Sequence, residues 1–195
     1  MKLKKIDNFI ISCDGGAASG KTTGAKLIAK KYNLKFLSSG MLYRYASFLI
    51  LKHKPGNKVR FLKQKFQKLN YHDIKKISLH TQEISEHSSI IAKNNDVRKI
   101  LKKFQLNFAK KNKNCCIEGR DISTKILPNS DVKFYFTCSL SIAAKRRYRE
   151  LKKLDPKVKL NNVKKALRIR NLSDIKRKHS PLLKHRNSVS IDTGK

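Results

Sequence analysis

Gly15-Gly16-Ala17-Ala18-Ser19-Gly20-Lys21-Thr22 stands between a short β-rich run, Asn8-Phe9-Ile10-Ile11-Ser12-Cys13, and a segment of helical character. An apolar run of that length ending at Asp14-Gly15-Gly16 reads as a buried strand stopped by a glycine turn. From Gly20 to Tyr32 the residues Ala25, Leu27, Ile28 and Ala29 lie among lysines, which suits a helix. The stretch itself fits G-x4-G-K-[ST] in the strand, loop and helix context that this pattern requires. Its glycines let the chain turn tightly and bring backbone N–H groups to phosphate oxygens, while the helix starting near Gly20 points its positive end at them. Lys21 is placed to reach β- and γ-phosphates, and the Thr22 hydroxyl to ligate Mg²⁺ directly or through water. Gly15, Gly16, Ala17, Ala18, Ser19, Gly20, Lys21, Thr22 and Thr23 therefore form the expected cradle for ATP with Mg²⁺.

Working outward, Leu34 to Leu37 reads as a second strand closed by Ser38-Ser39-Gly40. A long helical region follows from Met41 to about Lys111, broken near Pro55-Gly56 and Asn94-Asn95, with helix starts at Thr81 and at Asn95 or Asp96. Cys115-Cys116-Ile117 ends at Glu118-Gly119-Arg120-Asp121, and Val132 to Cys138 is the most β-rich stretch. Ser139 caps a helix to about Lys153, a second helix covers roughly Leu160 to Lys178, and Ser188 to Ile191 makes a last strand. Strands alternating with helices predict an α/β fold with a five-stranded parallel sheet flanked by helices, and ligands at the carboxyl ends of its strands.

The chain has 195 residues, of which 47 are Lys or Arg and 13 are Asp or Glu, for a formal net charge of +34. Thirty-six of the basic residues are Lys, spread from end to end without a block of five, so the charge reads as background as much as a nucleic-acid stripe. With 39% hydrophobic residues the chain builds a core rather than staying disordered. Its length suggests one domain, since a domain takes about 100–200 residues. No apolar run approaches the roughly 20 residues of a membrane span. Met1-Lys2-Leu3-Lys4-Lys5 is like the start of a signal peptide, but Asp7 and Asp14 bracket too short an apolar core, so a cytoplasmic protein is expected. Cys13, Cys115, Cys116 and Cys138 show no CxxC spacing and the histidines no HExxH pattern, which predicts reduced thiols and no protein metal site.

The phosphate loop leaves two classes open: a nucleic-acid-stimulated ATPase and a small-molecule kinase. The chain is short and lacks an apolar run ending in Asp-Glu, whereas a kinase needs an acceptor pocket and cations that close over the phosphates. In a protein that uses Lys by default, its 11 arginines stand out, because a planar fork binds phosphate or carboxylate at two points. Arg44, Arg98, Arg120, Arg146, Arg147, Arg149, Arg170 and Arg177 fall near the carboxyl ends of the strands or in the late helical pair. Arg170, Asp174 and Arg177 share one helix face by spacing. That face, like Arg146, Arg147 and Arg149, also admits reading as a solvated salt-bridge stripe. Among the acids, Asp14, Glu118, Asp121 and Asp174 are expected at phosphate, metal or sugar contacts.

The ordered set CDGGAASGKTT (13–23), SSGMLYR (38–44), TQEIS with a later Ser and VR (81–98), EGRD (118–121), the Arg146-Arg147 pair, RNLSDIKR (170–177) and SPLL (180–183) resembles the bacterial cytidylate kinases of the P-loop nucleoside monophosphate kinase superfamily. The resemblance runs from about residue 8 to 192. It implies transfer of the γ-phosphoryl of ATP to CMP or dCMP within a P-loop NTPase fold. Ser39, Tyr43, Arg44 and Ser89 are implied in the acceptor pocket, with Ser89 near the cytosine edge. Arg98, Arg120 and Asp121 are implied to hold the base and α-phosphate, and Arg170, Asp174 and Arg177 to close around the substrate. Lys21, Arg146, Arg147, Arg170 and Asp174 form the implied catalytic set, with the arginine pair on a lid. The implied division is a core of about 1–39, 112–144 and 186–195, an NMP-binding lobe of about 40–111 and a lid of about 145–178. A monomer is expected, with no specific nucleic acid and no membrane partner.

The chain departs from the family pattern at Ser38 and Asn171, where acids are usual, and in residues 60–78, which are too short and too helical for a β-rich insert. These departures keep UMP, AMP or another small acceptor, and a catalytically weak homologue, as alternatives. The chain stops just past the last strand, where a closing helix is implied, so either one sheet face is less covered or the sequence is truncated.

Overall fold

Strands β1 (Ile10–Gly15), β2 (Lys35–Ser38), β3 (Cys115–Gly119), β4 (Val132–Thr137) and β5 (Val189–Asp192) pair in the order β2-β3-β1-β4-β5, every pairing parallel. The computed structural model describes residues 8–74 and 76–194, so the signal-like start at Met1 to Lys5 lies outside the described residues. A parallel sheet carries all its carboxyl ends on one edge, which here brings Gly15, Ser38 and Gly119 side by side.

The helices are α1 (Lys21–Lys31), α2 (Ser39–His53), α3 (Lys58–Gln67), α4 (Tyr71–Ile74), α5 (Gln82–Ile91), α6 (Asn95–Lys111), α7 (Leu140–Lys152) and α8 (Leu160–Lys176). A single π-helical turn, Ile122–Ile126, follows β3. Most helix starts have a local cause. Ser38, Asn57, Thr81, Asn94 and Ser139 each accept a first-turn backbone N–H, which satisfies a donor the helix leaves open. The expected long helical region is thus five helices. Its expected breaks occur at Pro55-Gly56 and at Asn94, one residue before the predicted start. Two further breaks, at Asn70 and at Ser78-Leu79-His80, carry no Pro or Gly.

The core follows the period of two along β3, which is buried on both faces. Cys115 and Ile117 join Leu37, Leu42, Ala46, Leu62 and Leu101 beneath α2, α3 and α6. Cys116 faces the other way, with Ile11, Cys13, Ala25, Ala29 and Phe136 under α1. Helix α1 approaches so closely that a Cβ on Gly24 would overlap the Phe136 ring. A third cluster joins Ala17, in the loop after β1, to Ala143, Ala144 and Leu151 of α7 and to Val163 and Leu167 of α8. At the β5 edge the sheet is less covered, and Val189 stands exposed. All four cysteines are free; Cys13 and Cys116 lie with their sulfurs 3.8 Å apart, and burial pushes Cys115 up to about 12.

Candidate active site

The loop between β1 and α1 has the shape its glycines predict. Gly20 takes φ 79° as the residue before the helix, and Ala18 also has a positive φ of 55°. No side chain caps the start of α1 and no acid lies in its first turn. An uncapped helix N-terminus presents its amide donors and positive dipole end to an anion.

Lys21 folds back to donate to the Gly16 carbonyl at 3.1 Å and stands 4.0 Å from Glu118 Oε2. Burial, helped by the Arg120 and Arg170 charges and opposed by Glu118, lowers Lys21 to about 8. Thr22 Oγ1 donates to Glu118 Oε1 at 3.2 Å, and Ser38 Oγ donates to the same oxygen. Glu118 Oε2 is buried with no hydrogen-bond partner among the described residues. Glu118, expected at a metal, phosphate or sugar contact but given no role of its own, therefore links the phosphate loop to the end of β2. Asp14 belongs elsewhere. Its carboxylate accepts from Ile122 N–H and Ser123 N–H, both at 2.8 Å, and from Ser123 Oγ at 2.6 Å. It anchors the π-helical turn, which corrects its expected place at a ligand contact. Burial raises it to about 6.

A cavity of about 730 Å³ opens over the ends of β1, β2 and β3, lined by eight cationic side chains and four carboxylates. It brings together Lys21, Thr22, Thr23, Ser39, Tyr43, Arg44, Ser89, Arg98, Arg120, Asp121, Arg147, Arg170, Asp174 and Arg177. Ser39 Oγ accepts from Gln105 at 2.6 Å. Arg98 stacks 5.6 Å above the Tyr43 ring and donates to the Ala92 carbonyl at 3.1 Å. Arg98 and Arg177 both pair with Asp121, the latter at 3.8 Å, and Arg177 and Arg120 both pair with Asp174, the former at 3.2 Å. Five charges thus alternate in sign along one wall. Asp174 is buried, so the solvated-stripe reading does not hold for the residues Arg170, Asp174 and Arg177. Arg177 itself is the residue that ends α8.

The cations outnumber their carboxylates, and burial makes the excess costly. Arg170 is lowered to about 9 and Arg44 to about 10, in each case by burial first and by neighbouring arginines second. His80, between Arg44 and Arg147, is lowered by burial and by both of them. An anionic ligand would relieve all of these, which is the electrostatic mark of a functional cleft.

Arg146 and Arg147, expected to act together, face different cavities. Arg147 donates to Ser85 Oγ at 3.0 Å and to the His80 carbonyl at 3.3 Å, beside the large cavity. Arg146 donates to Thr193 at 2.9 Å and, with Arg149, borders a smaller cavity of about 330 Å³ on the far side of Ser19, Gly20 and Thr23. Gly15, which ends β1, and Gly16, which opens the loop, line neither. All eight arginines singled out by sequence border one cavity or the other.

Tyr71 in the cavity wall, and Ser85 and Asn171 behind it, hold site residues without a signal of their own in the sequence. Ser85 accepts from both Arg44 and Arg147, at 2.7 and 3.0 Å, and its only sequence signal is its place in TQEIS. Tyr71 accepts from Ser38 N–H at 2.7 Å and comes from the short α4, which no pattern announces. Asn171 accepts from Ala17 N–H at 3.0 Å.

A family model described as cytidylate kinase matches residues 11–195. A cytidylate kinase of Bartonella tribocorum is 36% identical over 190 residues, covering 95% of this chain and 86% of that protein. One from Rickettsia akari is 33% identical over 199 residues, covering 99% of this chain and 89% of that protein. Among solved structures, an uncharacterized protein from Eubacterium ventriosum shares the fold with a TM-score of 0.51 at 19% identity, over 95% of this chain and 88% of that one.

Proposed function

The chain belongs to the cytidylate kinase family, and from that premise we propose how its residues divide the work of moving a phosphoryl group from ATP to CMP or dCMP. The activity is that of an ATP-dependent phosphotransferase acting on these monophosphates. The observation that carries the assignment of residues is the single cavity in which the phosphate loop, the Ser39 to Arg44 segment and the arginine-rich wall converge.

In this reading the loop from Gly15 to Thr23 holds the ATP phosphates, through Lys21 and its backbone amides other than that of Ala17, which Asn171 takes. Ser39, Tyr43, Arg44, Ser89, Arg98, Arg120 and Asp121 receive the monophosphate. Asp174, already paired with Arg120 and Arg177, is suited to sugar hydroxyls. The residues near Thr22 fit Mg²⁺: a hydroxyl and a buried carboxylate with one oxygen unpartnered are hard oxygen donors. Thr22 and Glu118 would hold the ion, which when bound would supply positive charge against the phosphates. Lys21, Arg147 and Arg170 then stabilise the charge that spreads over the transferring group as the acceptor oxygen bonds to phosphorus and ADP departs. Arg146 serves from the ATP side, beside the smaller cavity. Positioning and electrostatics suffice, and no nucleophilic side chain is required.

Residues of about 40–111 act as the acceptor lobe and about 145–178 as the lid, on a core of about 1–39, 112–144 and 186–195. The protein works as a cytoplasmic monomer without a nucleic-acid partner; no helix among the described residues is long and apolar enough to cross a membrane. The test supplies ATP, Mg²⁺ and each nucleoside monophosphate in turn while ADP is followed. CMP and dCMP should turn over fastest. Faster turnover with UMP or AMP would reassign the acceptor, and ATP hydrolysis that rises with RNA or DNA without any monophosphate would refute the kinase reading.

A further inference from the structure

Asn171 sits next to Arg170 in α8 but faces a different neighbour. Its Oδ1 accepts from Ala17 N–H at 3.0 Å, and its amide group lies 3.4 to 3.5 Å from where a Cβ on Gly16 would stand, an ordinary packing distance. One turn earlier, Leu167 packs in the same apolar cluster as Ala17. Residues four apart lie on one helix face, so α8 is pinned to the phosphate loop at two points a turn apart. Two such points fix the rotation of a helix about its own axis; Leu167 alone does not.

That rotation matters because of what Arg170 lacks. Arg98, Arg120 and Arg177 are each held by a carboxylate of the site. Arg170 has no ion pair among the described residues, and its buried Nε has no hydrogen-bond partner. Its guanidinium is therefore aimed by the backbone of α8 rather than by a salt bridge. Both Arg170 and Lys21 line the larger cavity, and the Arg170 charge helps lower the affinity of Lys21 for a proton.

We propose that Asn171 is a positioning residue that fastens α8 to the phosphate loop and so sets Arg170 against Lys21 across the transferring phosphoryl group. The inference rests on the kinase reading above. Asn171 lines neither cavity and takes up the Ala17 amide of the loop. Losing its acceptor frees Ala17 N–H and leaves the middle of α8 held at Leu167 alone while the Asp174–Arg120 and Arg177–Asp121 pairs keep its end in place, so the turn that carries Arg170 shifts off line. Transfer rate suffers, while the acceptor pocket, built on Arg44, Arg98 and Asp121, stays in place.

The experiment compares the full chain with Asn171→Ala and Asn171→Asp, by steady-state kinetics with ATP and CMP and by amide hydrogen exchange at Ala17. Asn171→Ala should lower kcat about five- to tenfold with KM for CMP changed by less than about twofold, the cost of one lost hydrogen bond expressed in the transition state. Exchange at Ala17 should quicken by about tenfold, since one net hydrogen bond protects that amide. Asn171→Asp keeps an acceptor and should keep slow exchange, while its added charge beside the loop raises KM for ATP. Parental kcat in Asn171→Ala, or unchanged exchange at Ala17, would overturn the proposal, including when the melting temperature falls. A parent chain inactive with CMP defeats the kinase reading instead, and the exchange measurement still decides whether Asn171 holds the loop.

Discussion

Replacing Lys21 with Met should make the empty protein more stable while ending phosphoryl transfer. Lys21 is 12% exposed, and lowering an ammonium from 10.5 to about 8 puts a penalty of about 3 kcal/mol on its charged form, at about 1.4 kcal/mol per tenfold change in proton affinity. Below about pH 8 the group is charged in both folded and unfolded chains, and that penalty is carried in full. Between about pH 8 and 10.5 the folded chain releases its proton first, so stability rises with pH as the penalty fades. A methionine of similar length carries no such penalty. That figure already contains the opposing attraction of Glu118, 4.0 Å away. The variant should therefore be more stable than the parent by about 3 kcal/mol near pH 7, with the gap closing between about pH 8 and 10.5. Urea unfolding of both proteins at several pH values measures it, and taking the difference removes the other lysines, which titrate alike in both. A variant less stable than the parent at neutral pH, or a gap that ignores pH, would refute the reasoning; a variant that still transfers phosphate would refute the role of Lys21.

Two further outcomes follow from single contacts. Arg44→Lys exchanges a fixed fork, whose Nη1 donates to the Leu79 carbonyl at 2.9 Å and to Ser85 at 2.7 Å, for a point charge, and should raise KM for CMP by about tenfold with KM for ATP little changed in initial-rate measurements. Asp14→Asn turns an amide N–H₂ toward the donors of the π-helical turn and should cost about 2–3 kcal/mol in denaturant unfolding. Because burial raises Asp14 from 3.8 to about 6, the folded chain keeps its proton longer and stability declines between those pH values, a slope that Asp14→Asn should abolish.

Elements with a local cause were readable in advance. The phosphate loop is written in spacing and glycines, Ser139 and Thr81 announce their helices as caps, and the arginines stand out because lysine is the default. The breaks at Asn70 and at Ser78 to His80 were not readable, since they come from packing onto α2 and α6 rather than from Pro or Gly. The role of Asp14 was also hidden. An acid beside a phosphate loop looks like a ligand contact, and only the fold shows that β3 leads into a turn whose N–H groups need an acceptor. Arg146 and Arg147 looked equivalent because adjacency in sequence says nothing of facing, and consecutive helical residues point about 100° apart. Ser85 and Asn171 act through partners more than 40 residues away, a distance no spacing rule spans.

The alternating wall of Arg98, Asp121, Arg177, Asp174 and Arg120 bears on what the empty protein refuses to bind. Inorganic phosphate is abundant in cells and would block a cleft lined by arginines alone. Here a lone phosphate must compete with carboxylates already seated on those guanidiniums, and it brings nothing for the displaced acids to hold. A nucleotide brings both a phosphate for the cations and sugar hydroxyls for the acids. On the proposed assignment the wall discriminates between a whole nucleotide and its simplest fragment, through ion pairs already formed in the empty protein.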